Sequence, residues 1–161
     1  MGTLIFFRGR GRKMVAIESV AKAFLNMESM TPKKLQKLCF YAYSWHLMFK
    51  GESLFENRFQ AWVHGPVDPG LYHQYKEYGW ALIPQEKKIP KEISSNPEIA
   101  EILESVYDSY GHLDGDELEA LTHSELPWSR ARKGLKFYEA SQNPILDDDM
   151  IEQHEKDLED E

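Results

Sequence analysis

The sequence predicts a mainly α-helical (α+β) fold, a compact bundle of about five to six helices with a small β-hairpin. Apolar residues recur at helical spacing in several long windows, and these windows begin at residues that typically cap helices. One short window between them alternates with a period of two. An apolar fraction of 42% in 161 residues is sufficient for one hydrophobic core.

The first two helices have the clearest patterns. One helix is expected soon after Met14. Thr31 can cap the second helix with its hydroxyl, while Pro32 occupies the first turn, where a missing N–H is harmless. This second helix is expected to end at Gly51. The inward-facing positions are Ile17, Val20, Ala21, Phe24 and Leu25 in the first helix, and Leu35, Leu38, Cys39, Ala42, Trp45 and Phe49 in the second.

A strand is predicted over residues 59–63, where apolar and polar side chains alternate, and Gly65-Pro66 ends it. Asp68-Pro69 then repeats the cap-plus-proline signal for a short helix. A second strand is expected around residues 87–89. Because an isolated two-stranded hairpin is only marginally stable, it must pack on the helices.

Three more helix starts follow in the second half of the chain. Asn96-Pro97 begins a helix that stops at Gly111, and Asp114 with Glu117 matches the capping-box pattern. Leu126-Pro127-Trp128 begins a last helix, expected to run toward Tyr138 and to be weakened by Gly134.

Charge divides the chain into three parts. Residues 1–13 form a basic leader, expected to be disordered or an upstream extension, residues 14–140 form the domain, and residues 141–161 form an acidic tail expected to be flexible. The leader's apolar run is too short for an export signal, and no window is long enough for a membrane span. With a single cysteine, Cys39, in an apolar helical pattern, we expect a cytoplasmic protein with a buried thiol.

Catalytic and cofactor chemistry finds little support in the residue pattern. The net charge of −8 makes a nucleic-acid partner an unfavourable hypothesis. We expect no catalytic residues, metal or cofactor, because the histidines lack metal-ligand spacing and no nucleophile motif is present. A hydrolase that uses His64, His73 and His123 remains an alternative. The six histidines are His46, His64, His73, His112, His123 and His154.

Tryptophan and tyrosine supply large amphipathic surfaces, which either fill a core or bind a partner. The four tryptophans are Trp45, Trp62, Trp80 and Trp128. Sequence alone leaves both roles open for each of them.

Three stretches in order carry a family resemblance: MTPKKLQKLCFYA at 30–42, FQAWVHGPV at 59–67 and LTHSELPW at 121–128. Together they resemble the Panacea domain, the family of SocA-like antitoxins and phage-associated GepA-like proteins, over about residues 14–133. The resemblance implies an antitoxin, not an enzyme, that neutralises a toxin encoded in an adjacent gene by protein contact. An alternative that it also implies is an adaptor that delivers a toxin or other cargo to a ClpXP-type protease.

The antitoxin hypothesis and the family motif together indicate roles for individual residues, although His64 stands where the family usually has tyrosine or arginine. The candidates for partner binding lie around the predicted turn and near the last helix. They are Trp62, His64, Tyr72, His123 and Trp128. The residues expected to have structural roles in the family motif are Thr31, Pro32, Leu35, Gln36, Lys37, Leu38, Gly65, Pro66, Val67, Thr122 and Pro127.

Overall fold

The computed structural model describes residues 13–160, and the predicted basic leader therefore lies almost entirely outside the described residues. The described part contains eight α-helices, one 3₁₀ turn and a two-stranded antiparallel sheet, which confirms the mainly α fold with a small hairpin. The helices are α1 (Ile17–Met27), α2 (Pro32–Lys50), α3 (Pro69–Tyr75), α4 (Lys91–Ser94), α5 (Pro97–Tyr110), α6 (Gly115–His123), α7 (Leu126–Ala131) and α8 (Asp147–Glu159). The strands are β1 (Gln60–Trp62) and β2 (Gly65–Val67), and the 3₁₀ turn covers Lys76–Tyr78.

Helix α2 is the centre of the fold, because α1, α3, α5, α6, α8 and β2 all contact it. Its side chains are buried on every side from Lys34 to Ser44, not only along the predicted stripe. Phe49 in the last turn was predicted to face inward, but it is 58% exposed. Burial all round is expected for a helix enclosed by other elements.

The predicted helix caps are present. Thr31 Oγ1 accepts from Lys34 N at 3.3 Å, and Asp68 Oδ1 accepts from Leu71 N at 2.9 Å. Asn96 caps α5 in the same way, and Asp114 with Glu117 forms both hydrogen bonds of a capping box. Each cap satisfies backbone N–H groups that a helix start would otherwise leave without partners.

The hairpin is formed by β1 and β2, with Gln60 opposite Val67 and Trp62 opposite Gly65. The prediction of a second strand at residues 87–89 is therefore wrong. Pro66 in β2 stands opposite Ala61 in β1, and the N–H of Ala61 bonds to Asn143 O at 2.9 Å and not to β2. This pair therefore makes no hydrogen bond of the ladder, and proline, which has no N–H, is compatible with β2. Proline is tolerated where the ladder needs no donor.

The acidic tail differs from the flexible segment expected for residues 141–161. Helix α8 begins with three aspartates, which favour a helix N-terminus, and it packs on α2 and α7. Met150 is fully buried, and Tyr43 Oη donates to Asp147 Oδ1 at 2.9 Å. Helix α7 ends at Ala131 and does not reach Tyr138, because the chain turns through Gly134 at φ 86°.

Candidate partner-binding surface

A groove of about 390 Å³ lies between the first half of α2, the hairpin and α3, and it is open to solvent. Buried side chains from these elements form its floor, and aromatic side chains form its walls. We name it the tryptophan groove. Its floor residues are Leu35, Val67 and Leu71, and its wall residues are Trp62, Tyr72 and Trp80.

The walls of the tryptophan groove leave much aromatic surface in water. Trp80 is 79% exposed, and Tyr72 is 39% exposed. The rings of Trp62 and Tyr72 meet edge to face at 4.9 Å between centroids, and the Lys33 ammonium lies 5.4 Å from the Trp80 ring centroid. Contiguous exposed aromatic surface of this kind is typical of a binding site.

A charged cluster fixes one end of the groove. Lys33 Nζ donates to Glu119 Oε1 at 2.6 Å and to Asp116 Oδ1 at 2.9 Å, and His64 Nδ1 lies 3.1 Å from Glu119 Oε2. Burial alone would raise the pKa of Glu119, but the hydrogen bonds from Lys33 and His64 lower it below its ordinary value. The cluster thereby connects α2, α6 and the hairpin turn.

Lys37 lies beneath the hairpin and is only 1% exposed. Its ammonium donates to Pro66 O at 3.2 Å, and burial lowers the pKa of Lys37 to about 7. Gly65 is at φ 111°, and a Cβ there would stand 2.7 Å from Lys37 Cε. Glycine is therefore required both by the backbone angle and by the close approach of the lysine.

Gln36 holds the chain just beyond β2. Its amide donates to Asp68 O at 3.0 Å, and its carbonyl accepts from Asp68 N at 2.9 Å. With Lys37 bonded to Pro66 O, side chains of α2 thus cover the outer edge of β2. These contacts fix the hairpin in place and also cover the edge of β2.

A second aromatic cluster supports the hairpin from the interior. Trp128 is 9% exposed, and its Nε1 donates to Trp62 O at 2.6 Å. The His123 ring stacks on Trp128 with 3.7 Å between centroids, and burial lowers the pKa of His123. The Arg132 guanidinium lies 5.1 Å from the Trp128 ring centroid and donates to Ala61 O at 2.9 Å. We name these three side chains, His123, Trp128 and Arg132, the interior stack.

Comparison with known proteins identifies the family. A family model described as "Antitoxin SocA-like, Panacea domain" matches residues 35–129, which is more than half of the chain. The chain belongs to the SocA-like antitoxin family of Panacea domains. The matched residues run from α2 to α7 and contain the groove walls together with His123 and Trp128, whereas α8 and Arg132 lie beyond them.

Antitoxin SocA of Caulobacter vibrioides (strain NA1000 / CB15N) is similar to this chain, with 32% identity over 111 residues. The match covers 62% of this chain and 58% of that relative, so the chain corresponds to less than two thirds of the relative's length. No solved structure matches. Between residues 13 and 160, no helix is long and apolar enough to cross a membrane.

The structure separates the five residues that were candidates for partner binding. Trp62, His64 and Tyr72 come together along the tryptophan groove. His123 and Trp128 belong to the interior stack instead, where their contacts are those of a scaffold. Trp80 and Lys33 complete the groove. Neither was among the five candidates, because Trp80 follows Gly79 in a region without apolar periodicity and its role, core or partner binding, was left open.

The residues of the family motif are mostly buried around α2 and the hairpin. Leu35, Gln36, Lys37 and Leu38 are all buried in α2. Thr122 Oγ1 donates to Glu119 O at 2.8 Å and lies close to Gly65. Such contacts hold the hairpin against α2 and α6 and so determine the shape of the groove.

The three histidines of the hydrolase alternative have different surroundings. His64 contacts Glu119, His123 stacks on Trp128, and His73 packs beside the Tyr72 ring on exposed α3. No hydrogen bond joins any two of them among residues 13–160. In the same part of the chain, no group of three or more His, Cys, Asp or Glu side chains could hold a metal ion.

Proposed function

We propose that this chain neutralises a toxin encoded in an adjacent gene by direct protein–protein binding, and that the toxin occupies the tryptophan groove. Membership of the SocA-like family supports an antitoxin role in general. The groove supports binding as the mode of action, because it places exposed aromatic side chains on a fixed support. Neutralisation then needs no chemical reaction.

The observation that carries this proposal is the exposure of Trp80, which is 79%. A tryptophan buries about 150–250 Å² when covered, which corresponds to at most about 3–5 kcal/mol for this side chain. A few aromatic side chains of this kind commonly supply most of the free energy of a protein interface. Tyr72 and Trp62 extend the same surface into the groove.

The support beneath the groove is fixed before any partner arrives. Gln36 and Lys37 hold β2 from one side, and Arg132 and Trp128 hold β1 from the other. Because these groups are already ordered, binding loses less conformational entropy than it would on a mobile hairpin. The proposal therefore expects toxin binding to leave the backbone of the hairpin unchanged.

A growth assay tests this proposal. Expression of the adjacent gene alone should arrest growth, and co-expression of the wild-type chain should restore it. The double substitution of Tyr72→Ala with Trp80→Ala should abolish rescue, whereas Phe49→Ala, which removes an exposed aromatic side chain outside the groove, should retain it. Full rescue by the double variant would contradict the groove assignment. A harmless neighbouring gene whose product does not co-purify would contradict the antitoxin role for this chain.

A second candidate function is that of an adaptor for a ClpXP-type protease, with the toxin or another protein as cargo. Helix α8 favours it, because α8 is folded, strongly acidic and leaves Ile151 and Leu158 exposed. In this case the protease contacts α8 while the groove holds the cargo. The half-life of the toxin distinguishes the two functions: sequestration leaves it long, and adaptor activity shortens it only when the protease is present.

A further inference from the structure

The side chains that line the tryptophan groove have an unusual charge. Lys33, Lys37, Lys76 and His64 contribute to the lining, and no Asp or Glu of residues 13–160 does. The chain as a whole has a net charge of −8. A groove whose lining contains lysines and no carboxylate of residues 13–160 favours anionic groups over cationic ones.

The cationic groups differ in their availability. Lys33 is engaged by Asp116 and Glu119, and Lys37 is buried against Pro66 O. His64 is also engaged, because its Nδ1 lies 3.1 Å from Glu119 Oε2. Lys76, by contrast, lies at the exposed rim. The rim therefore presents a positive charge at Lys76, while the floor beside it is apolar.

The backbone of the hairpin offers no free edge to a guest along either strand. On the β1 side, Ala61 N bonds to Asn143 O at 2.9 Å, and Ile145 N bonds to Phe59 O at 3.0 Å. On the β2 side, Gln36 and Lys37 cover the edge. A guest therefore cannot extend the sheet, and it must engage the groove through its side chains.

Resting on the proposed function, we infer that the toxin fills the groove with a short acidic segment, in which a large apolar side chain is flanked by Asp or Glu. The apolar side chain enters between Trp62, Tyr72 and Trp80, because about 390 Å³ accommodates one or two large side chains. The flanking carboxylates approach Lys76 at the rim. Such pairs steer association and select acidic partners over basic ones.

Three synthetic peptides test this inference without the toxin. They are acetyl-Glu-Glu-Leu-Phe-Glu-Glu-amide and the two peptides in which every Glu is replaced by Gln or by Lys. Each is titrated into the ¹⁵N-labelled full chain, and the indole N–H signals of Trp62 and Trp80 report binding. Trp62→Phe and Trp80→Phe variants assign these signals, and the indole signal of Trp45 on the opposite half of α2 is the internal control.

The acidic peptide should shift the Trp62 and Trp80 signals and bind at least about threefold tighter than the Gln peptide. That advantage should disappear in about 0.5 M NaCl and in Lys76→Glu, and it should persist in Lys87→Glu, which alters an exposed lysine outside the groove. Equal binding of the acidic and Gln peptides, tighter binding of the Lys peptide, or no shift with any peptide would overturn the inference.

The peptide titrations and the growth assay fail separately. If rescue depends on Trp80 but the peptides show no preference for acid, the groove remains the toxin-binding surface and only its chemistry is wrong. If the acidic peptide binds as expected but rescue does not depend on Trp80, the toxin does not occupy the groove, and that part of the proposed function is wrong.

Discussion

Trp80 and Trp128 both adjoin the same hairpin, but they occupy opposite environments. Trp128 is 9% exposed, stacks between His123 and Arg132, and donates its N–H to Trp62 O. Trp80 is 79% exposed and has a lysine over its ring. An indole whose faces and N–H are satisfied within the fold contributes to stability, whereas an uncovered indole is available to a partner.

The difference between the two tryptophans separates residues that support the hairpin from residues that are available to a partner. Trp62 links the two regions, because its carbonyl accepts from Trp128 while its ring forms a wall of the tryptophan groove. The interior stack positions the strand, and the groove uses its outer surface. Substitutions in the interior should therefore change the free energy of unfolding, and substitutions in the groove should change binding.

The largest effect is expected for Trp128→Ala. It removes a buried indole, leaves Trp62 O without its donor and exposes the faces of His123 and Arg132. We expect the free energy of unfolding to fall by about 3–5 kcal/mol, as measured by urea denaturation. A loss below about 1 kcal/mol would show that the interior stack is not the support of the hairpin.

A somewhat smaller loss is expected for Gly65→Ala. Alanine at φ 111° is strained, and its Cβ would overlap Lys37 Cε, which is confined by burial. We expect destabilisation of about 2–3 kcal/mol. Gly51→Ala is the matched control, because Gly51 has a φ of 69° but nothing within 4 Å of an added Cβ. The control should lower the free energy of unfolding by about 1 kcal/mol, from backbone strain alone. Equal losses for the two variants would contradict a contribution from the contact with Lys37.

Lys37 should give the interior a characteristic pH dependence. The pKa of Lys37 is about 7 in the folded chain, and its ordinary value is 10.5. Between these two pH values the unfolded chain therefore binds more protons than the folded chain. Stability should therefore rise with pH, by about 2 kcal/mol between pH 7 and pH 9.

The matching variant is Lys37→Met, which retains most of the side-chain volume without a titrating group. Because this variant also loses the hydrogen bond to Pro66 O, its absolute stability differs from that of wild type. The quantity compared is therefore the slope of the free energy of unfolding against pH. The slope attributed to Lys37 should be absent from the variant. Parallel slopes in the two proteins would contradict a buried lysine with a lowered pKa.

The smallest change in stability is expected for Trp80→Ala. Because most of the ring is in water, its removal should alter the free energy of unfolding by less than about 0.5 kcal/mol. Thermal melts of this variant and of wild type should nearly superimpose. A large destabilisation would place Trp80 with Trp128 and erase the contrast between the two regions.

Local signals predicted much of the fold. The caps at Thr31, Asp68, Asn96 and Asp114 were recognisable because a capping residue and its helix are adjacent in sequence. The partner strand was missed because Gly65-Pro66 indicates a turn, whereas in the fold the same residues pair with β1, with Gln60 opposite Val67 and Trp62 opposite Gly65. Helix α8 was missed because acidic composition indicates disorder, although Met150 provides a buried anchor.

The candidate site was only partly predictable. Trp62, His64 and Tyr72 adjoin a recognisable turn, so a local argument brought them together. Lys33 and Glu119 are 86 positions apart, and their pairing depends on how α2 packs on α6. Trp128 was among the candidates for partner binding because a tryptophan fits either role, and its burial is decided by tertiary packing.

Toxin affinity tests the central claim most directly. The dissociation constant of the purified adjacent-gene product is measured by calorimetry for wild type, Trp80→Ala and Phe49→Ala. We predict at least about tenfold weaker binding for Trp80→Ala, with its melting temperature unchanged, and wild-type affinity for Phe49→Ala. Wild-type affinity for Trp80→Ala would contradict the assignment of the tryptophan groove as the toxin-binding surface.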